Sequence, residues 1–128
     1  MTEPIKILIV DDEEDFCFFV HKNLTNTGKF EVYVATNGKY GLELAQTKKP
    51  DMILLDLIMP DMSGDEVAQA LKNNSETENI PITFLTALVT REDSSDGVMK
   101  KIGEKYFIAK PVRTLELVGA IVERLEGC

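Results

Sequence analysis

At 128 residues the chain has room for one compact domain, 1–128, with a core large enough to fold alone. Its 44% hydrophobic and 28% charged residues suit a globular protein, and apolar runs such as Met52–Leu55 fall far short of the ~20 residues that span a bilayer. A net charge of −8 argues against direct binding to nucleic acid or an anionic membrane, whose phosphates select basic surfaces.

The N-terminal Met1-Thr2-Glu3-Pro4 has no basic stretch leading into a long apolar one, so no secretory signal is expected and the expected compartment is the cytoplasm. Two cysteines, Cys17 within an apolar helical pattern and Cys128 at the terminus, fit reduced thiols better than a structural disulfide.

Short apolar runs alternate with stretches of helical spacing. Lys6–Val10 reads as a strand buried on both faces. Phe16, Phe19, Val20 and Leu24 recur at helical intervals, and Gly28 ends that helix. Phe30–Ala35 alternates as a second strand. Asn37 then caps a helix whose inward stripe is Gly41, Leu44 and Ala45, and Lys48-Lys49-Pro50 stops it.

Met52–Leu55 is the third strand. A loop carrying Pro60 and Gly64 leads to a third helix with Val67, Ala70 and Leu71 inward. Ile82–Leu85, opened by Pro81, is the fourth strand. Arg91–Lys101, charged and poor in apolar anchors, reads as a short, weak fourth helix. Tyr106–Ala109 is the fifth strand, and Leu115, Val118, Val122 and Leu125 stripe the last helix.

Five strands alternating with five helices predict an α/β domain. Right-handed crossovers make it a doubly wound five-stranded parallel sheet with five flanking helices, and the flavodoxin-like order 2-1-3-4-5 is the one expected, in which the first and third strands are neighbours. Ligands of such sheets sit at the carboxyl ends of the strands. The residues there are Asp11 and Asp12 after the first strand, Asp56 after the third, Thr86 after the fourth and Lys110 after the fifth.

Three carboxylates that close repel by roughly 4 kcal/mol per pair at ~4 Å and an effective dielectric near 20. A hard cation such as Mg²⁺, which takes one or two carboxylates and keeps water and phosphate oxygens, would relieve them. The remaining groups match phosphoryl transfer: Asp56 as nucleophile, Lys110 to neutralise charge and Thr86 to donate a hydrogen bond, with the small Ala87 leaving the approach open.

Four blocks, Val10-Asp11-Asp12-Glu13, Leu54 to Gly64 around Asp56, Phe84-Leu85-Thr86-Ala87 and Lys110-Pro111, resemble the signatures of receiver domains of two-component response regulators, from about Lys6 to Leu125. The resemblance, chemotaxis-regulator-like and apparently stand-alone, implies that Asp12, Asp56 and the backbone carbonyl of Ile58 ligate Mg²⁺ directly and that Asp11 acts through a bound water. It implies a phosphoryl group arriving from a histidine kinase, a phosphotransfer protein or a small phosphodonor, and a cis Lys110-Pro111 bond.

It further implies a phosphoacceptor that assists its own phosphotransfer and dephosphorylation rather than an enzyme. Thr86 and Phe107 would act as switch residues, and a downstream protein would be reached through the face of fourth helix, fifth strand and last helix. Phe107 stands where the family most often has tyrosine, and Thr86 and Lys110 lie 24 residues apart, slightly more than the family's usual spacing.

Each block has a plainer reading. Asp11-Asp12 can cap a helix, Asp56 and Asp61 can be turn residues, Thr86 a cap and Lys110-Pro111 a strand terminus. Only their joint placement at strand ends favours the chemistry. His21 reads as a solvated side chain, Cys17 as packing, and Lys100-Lys101 as a solvated face or a partner contact. A phosphatase acting on external substrates would want a carboxylate two residues after Asp56, where Ile58 stands. A purely scaffolding relative would lack some of the acidic or lysine positions, and none is missing.

Overall fold

In a computed structural model that describes residues 4–87, 99–110 and 112–126, a central sheet is formed by β1 (Ile5–Val10), β2 (Phe30–Ala35), β3 (Met52–Asp56), β4 (Ile82–Thr86), β5 (Met99–Ile102) and β6 (Lys105–Ala109). The described helices are α1 (Glu14–Asn26), α2 (Gly38–Lys48), α3 (Gly64–Lys72) and α4 (Thr114–Glu126). Strand order is β2-β1-β3-β4-β6-β5. The first five in that row are parallel, and β5 runs antiparallel to β6 at the edge.

The parallel part is the doubly wound arrangement that the alternation predicts. Strands β1 and β3 are apolar on both faces because both faces are covered. Ile7 and Ile9 point into a core layer with Cys17, Val20 and Leu24 of α1 and Leu117 and Ile121 of α4. Their neighbours Leu8 and Val10 point the other way, toward Leu44 and Ala45 of α2 and Val67 and Leu71 of α3. Each large side chain fully buried in these layers contributes roughly 1.5–3 kcal/mol.

Three expectations need correction. The weak fourth helix over Arg91–Lys101 does not extend through its last residues: Met99–Ile102 is strand β5, while residues 91–98 lie outside the described ones. The sheet therefore has six strands rather than five, and the described residues contain four helices rather than five. The cause is local. Ile102 pairs with Lys105 across Gly103-Glu104, and Gly103 at φ +63° fits the two-residue hairpin turn whose first central position favours glycine. Lys100 and Lys101, each beside an aromatic partner on β6, are then stabilised as a strand.

The other two corrections are of phase. Phe19 is 61% exposed, because the buried stripe of α1 runs through Cys17, Val20 and Leu24 and turns the neighbouring position outward. Leu115 is 85% exposed for the same reason, since α4 buries Leu117, Ala120 and Ile121.

Candidate functional site at the strand ends

The parallel register sets the carboxyl ends of β1, β3, β4 and β6 side by side: Val10 opposes Leu55, Asp56 opposes Leu85, and Thr86 opposes Ala109. Asp56, Thr86 and Lys110 therefore emerge on one edge of the sheet, with Asp11 and Asp12 beside them. One carboxylate oxygen from each of Asp11, Asp12 and Asp56 lies within 4.8 Å of the others. Asp11 is fully buried and Asp56 is 7% exposed.

The loop after β3 is held by close packing. Gly64 N–H donates to the Leu57 carbonyl at 2.7 Å, and a Cβ on Gly64 would meet the Asp56 carbonyl at 2.4 Å, so only glycine fits where α3 passes under the acidic residue. Ser63 and Glu66 form a reciprocal capping box that starts α3 at that point. Asp61, read as a turn residue, accepts from the Gly38 and Lys39 N–H groups and ties this loop to the start of α2; those bonds hold its carboxyl below the ordinary carboxylate range.

The turn after β1 is equally fixed. Asp11 Oδ1 accepts from the Glu13 N–H at 2.9 Å, the Cys17 thiol donates to the Asp11 carbonyl at 3.2 Å, and Asp11 N–H donates to the Ala35 carbonyl. Glu13 is the N-cap of α1 and its side chain makes no capping bond; Asp11 accepts the Glu13 N–H just before the helix rather than an N–H of its first turn. Burial, and then the Asp11 charge, push the Cys17 thiol up to about 12, which makes it a packing residue rather than a nucleophile.

Lys110 is the cation of the cluster. Its Nζ lies 2.7 Å from Asp11 Oδ2, in an ion pair rather than a well-directed hydrogen bond, 2.6 Å from Glu13 Oε1, and 3.8 Å from Asp56 Oδ2. The ring of Phe16 sits 4.7 Å from the same ammonium. Burial opposes the charge on Lys110, but its contacts with Asp11 and Glu13 and the charges of Asp11 and Asp56 outweigh this and leave its pKa raised.

One cation does not balance this site. Burial raises the Asp11 pKa above 3.8 although Lys110 and the Glu13 N–H pull it down. Burial and the Asp11 charge push Asp56 up to about 6, against Lys110 and a backbone hydrogen bond from Ile58. Two carboxyls disfavoured as anions, with Asp12 beside them, form an all-oxygen donor set that suits a hard divalent cation.

Thr86 is 2% exposed at the end of β4, and its carbonyl accepts from the Lys110 N–H at 2.9 Å. Phe107 lies two register pairs back, stacked on Phe84 with ring centroids 5.4 Å apart. Ile58 offers its N–H to Asp56, and its side chain is 64% exposed. Pro111, and with it the expected cis Lys110-Pro111 bond, lies outside the described residues, as does Cys128. The contacts of Glu13 and Phe16 with Lys110 were not legible in the sequence: a lysine's partners from another strand end have no local signal, although Glu13 directly follows the acidic pair.

An α/β sheet with clustered carboxylates and one lysine at adjacent strand ends defines a class of phosphate- and metal-handling domains. The response regulator receiver domain model matches residues 7–122. The chain is 30% identical to the chemotaxis protein CheY4 of Vibrio cholerae, with a TM-score of 0.81 over 96% of this chain and 100% of that one. It is 36% identical over 117 residues to the transcriptional regulatory protein CusR of Escherichia coli K12, covering 91% of this chain and 49% of the relative. It is 39% identical over 106 residues to a Vibrio cholerae serotype O1 protein named probable cyclic di-GMP phosphodiesterase, covering 83% and 23% respectively.

The chain thus belongs to the response regulator receiver domain family, the module of phosphorylation-dependent two-component signalling, and spans half or less of the curated relatives' length. No described helix is long and apolar enough to cross a membrane.

Proposed function

We propose that Asp56 is the phosphoacceptor of a signalling switch made by residues 1–128 as one unit. One Asp56 carboxylate oxygen attacks phosphorus, an acyl phosphate bond forms, and the bond from phosphorus to the donor's nitrogen or oxygen breaks. The donor is a histidine kinase, a phosphotransfer protein or a small acyl phosphate. The observation that carries this reading is the position of Asp56: at the end of β3, within 4.8 Å of two further carboxylates and 3.8 Å from the Lys110 ammonium.

Asp11, Asp12 and Asp56, with the Ile58 carbonyl, would hold Mg²⁺. When bound, the ion would neutralise the carboxylates and the phosphoryl oxygens. Lys110 exchanges part of its contact with Asp11 and Glu13 for a phosphoryl oxygen, and Thr86 donates its hydroxyl to another. These two contacts exist only in the phosphorylated state, which is what a population shift requires. Phe107, stacked on Phe84 two register pairs from Thr86, is the side chain placed to respond.

The chain then acts on itself as phosphoacceptor rather than on external substrates, since no carboxylate stands at Ile58. Output passes to a downstream protein in the cytoplasm, without direct contact with nucleic acid or membrane, consistent with the charge of −8. Among the described residues its face is built from β5, β6 and α4, while most of the expected fourth helix, residues 91–98, lies outside them. Incubation with acetyl phosphate and Mg²⁺ should add one phosphoryl group that neutral hydroxylamine removes. No gain with Mg²⁺, or equal gain in EDTA, rejects the assignment.

A further inference from the structure

Glu13 makes a contact that its local structure does not call for. It is the N-cap of α1, where an acidic side chain can accept the orphan N–H groups of the first turn, yet it makes no capping bond. Instead its Oε1 lies 2.6 Å from the Nζ of Lys110, 97 positions away. Its backbone N–H donates to Asp11 Oδ1 at 2.9 Å. Glu13 therefore holds both members of the Asp11–Lys110 pair, the carboxylate through its main chain and the ammonium through its side chain.

The ammonium is drawn to one side as a result. Nζ is 2.7 Å from Asp11 Oδ2 and 2.6 Å from Glu13 Oε1, but 3.8 Å from Asp56 Oδ2, which is beyond hydrogen-bond reach. The main chain at Lys110 is fixed, since its N–H donates to the Thr86 carbonyl at 2.9 Å, so only the end of the side chain is left to move. Of its two close partners, Asp11 is buried and the Glu13 side chain is 62% exposed. Glu13 is thus the partner whose contact water can replace at little cost.

We infer that Glu13 is a positioning residue that keeps Lys110 in a resting place withdrawn from Asp56, and that this contact is released when Lys110 takes a phosphoryl oxygen. The inference rests on Asp56 being the phosphoacceptor. A two-state equilibrium is biased only by contacts that differ between its states. Lys110 and Thr86 meet the phosphoryl group in one state, and the Glu13–Lys110 pair belongs to the other. Removing the Glu13 carboxylate destabilises the resting state alone, so it speeds the gain of phosphate. Loss of phosphate begins with the pair already broken and is left unchanged. Glu13 sets how readily the chain is phosphorylated, not how long it stays so.

The test compares wild type, Glu13→Gln and Glu14→Gln, each as the full chain. Glu14 is the next residue, also exposed, and its replacement removes the same charge from the same helix start. In metal-free protein the Lys110 ammonium is followed by nitrogen-15 NMR, with its signal assigned by its disappearance in Lys110→Arg. Gain of phosphate from acetyl phosphate and from phosphoramidate is then timed with Mg²⁺ by intact mass, and loss is timed after the donor is removed. In Glu13→Gln the Lys110 signal should shift and its protons exchange faster with water. Gain should be about fivefold faster with either donor, the rate equivalent of one exposed ion pair, and loss should be unchanged. Glu14→Gln should match wild type throughout.

An unmoved Lys110 signal in Glu13→Gln would overturn the contact. Equal rates of gain in Glu13→Gln and Glu14→Gln would overturn its role while leaving Asp56 as the acceptor. A gain that speeds with acetyl phosphate but not with phosphoramidate, which carries less net charge, would reduce Glu13 to repulsion of an anionic donor. A changed rate of loss would put the contact in the phosphorylated state as well and overturn the assignment to the resting one. No phosphate on wild type would sink the reading of Asp56 and this inference with it, a failure told apart from the others because the Lys110 signal is recorded without donor. Backbone amide spectra that match wild type away from Glu13 separate a released lysine from a changed fold.

Discussion

Two ends of the sheet collect charge, and the same Coulomb law has opposite consequences at each. At the strand ends, Asp11 and Asp56 are nearly excluded from water, so their mutual repulsion is felt almost unscreened and Lys110 offsets only part of it. At the β5–β6 hairpin, Lys101 and Lys105 are exposed and hydrated, so like charges sit together at little cost. Buried charge makes the first region a strained site that a cation or phosphate can relieve.

Removing Lys110, the cation that the described residues bring to the carboxylates, should give the largest effect. In EDTA, Lys110→Ala leaves Asp11 buried beside Asp56 and Asp12, and urea unfolding should show a loss of about 3 kcal/mol or more, part of which Mg²⁺ restores. No change, or no response to Mg²⁺, would mean that the carboxylates are not electrostatically coupled.

Next in size is the pH dependence of the metal-free protein. Asp56 titrates at about 6 when folded and near 3.8 in its ordinary state, so the folded chain holds the extra proton between those values. Its favourable contribution is complete below pH ~4 and is lost as pH rises through ~6, a change on the order of 3 kcal/mol at 1.36 kcal/mol per unit. The stability difference between Asp56→Asn and wild type should therefore grow in favour of the variant from pH 4 to 7. A flat difference would place Asp56 in a solvated environment.

Gly64→Ala should cost about 1–3 kcal/mol, since the new methyl must displace the Asp56 carbonyl, and should slow phosphotransfer as that strand end shifts. Smallest of all, Lys100→Glu with Lys101→Glu should alter stability by no more than about 0.5 kcal/mol in thermal unfolding. A large loss there would mean that the lysines hold the hairpin together rather than decorate it.

The contrast also governs what the sequence reveals. Strands buried on both faces, such as β1 and β3, are continuous apolar runs, and the residues that end them are read directly off the chain. Asp11, Asp12, Asp56, Thr86 and Lys110 were legible for that reason. Helix phase was less so, because Phe18, Phe19 and Leu115 are as apolar as the residues that α1 and α4 bury, and only the sheet decides which stripe faces inward. The β5 strand was misread as helix because Met-Lys-Lys-Ile has weak preference of either kind. Its one local sign was Gly103-Glu104 between two short runs, a hairpin turn of minimal length. The pairing of Glu13 with Lys110 was not legible because the two lie 97 positions apart.

The central claim rests on one side chain. Wild type and Asp56→Asn, treated side by side with acetyl phosphate and Mg²⁺ and weighed intact by mass spectrometry, test it most directly. One phosphoryl group on wild type and none on the variant is the predicted result. Equal phosphorylation of the two would contradict it and move the acceptor elsewhere in the chain.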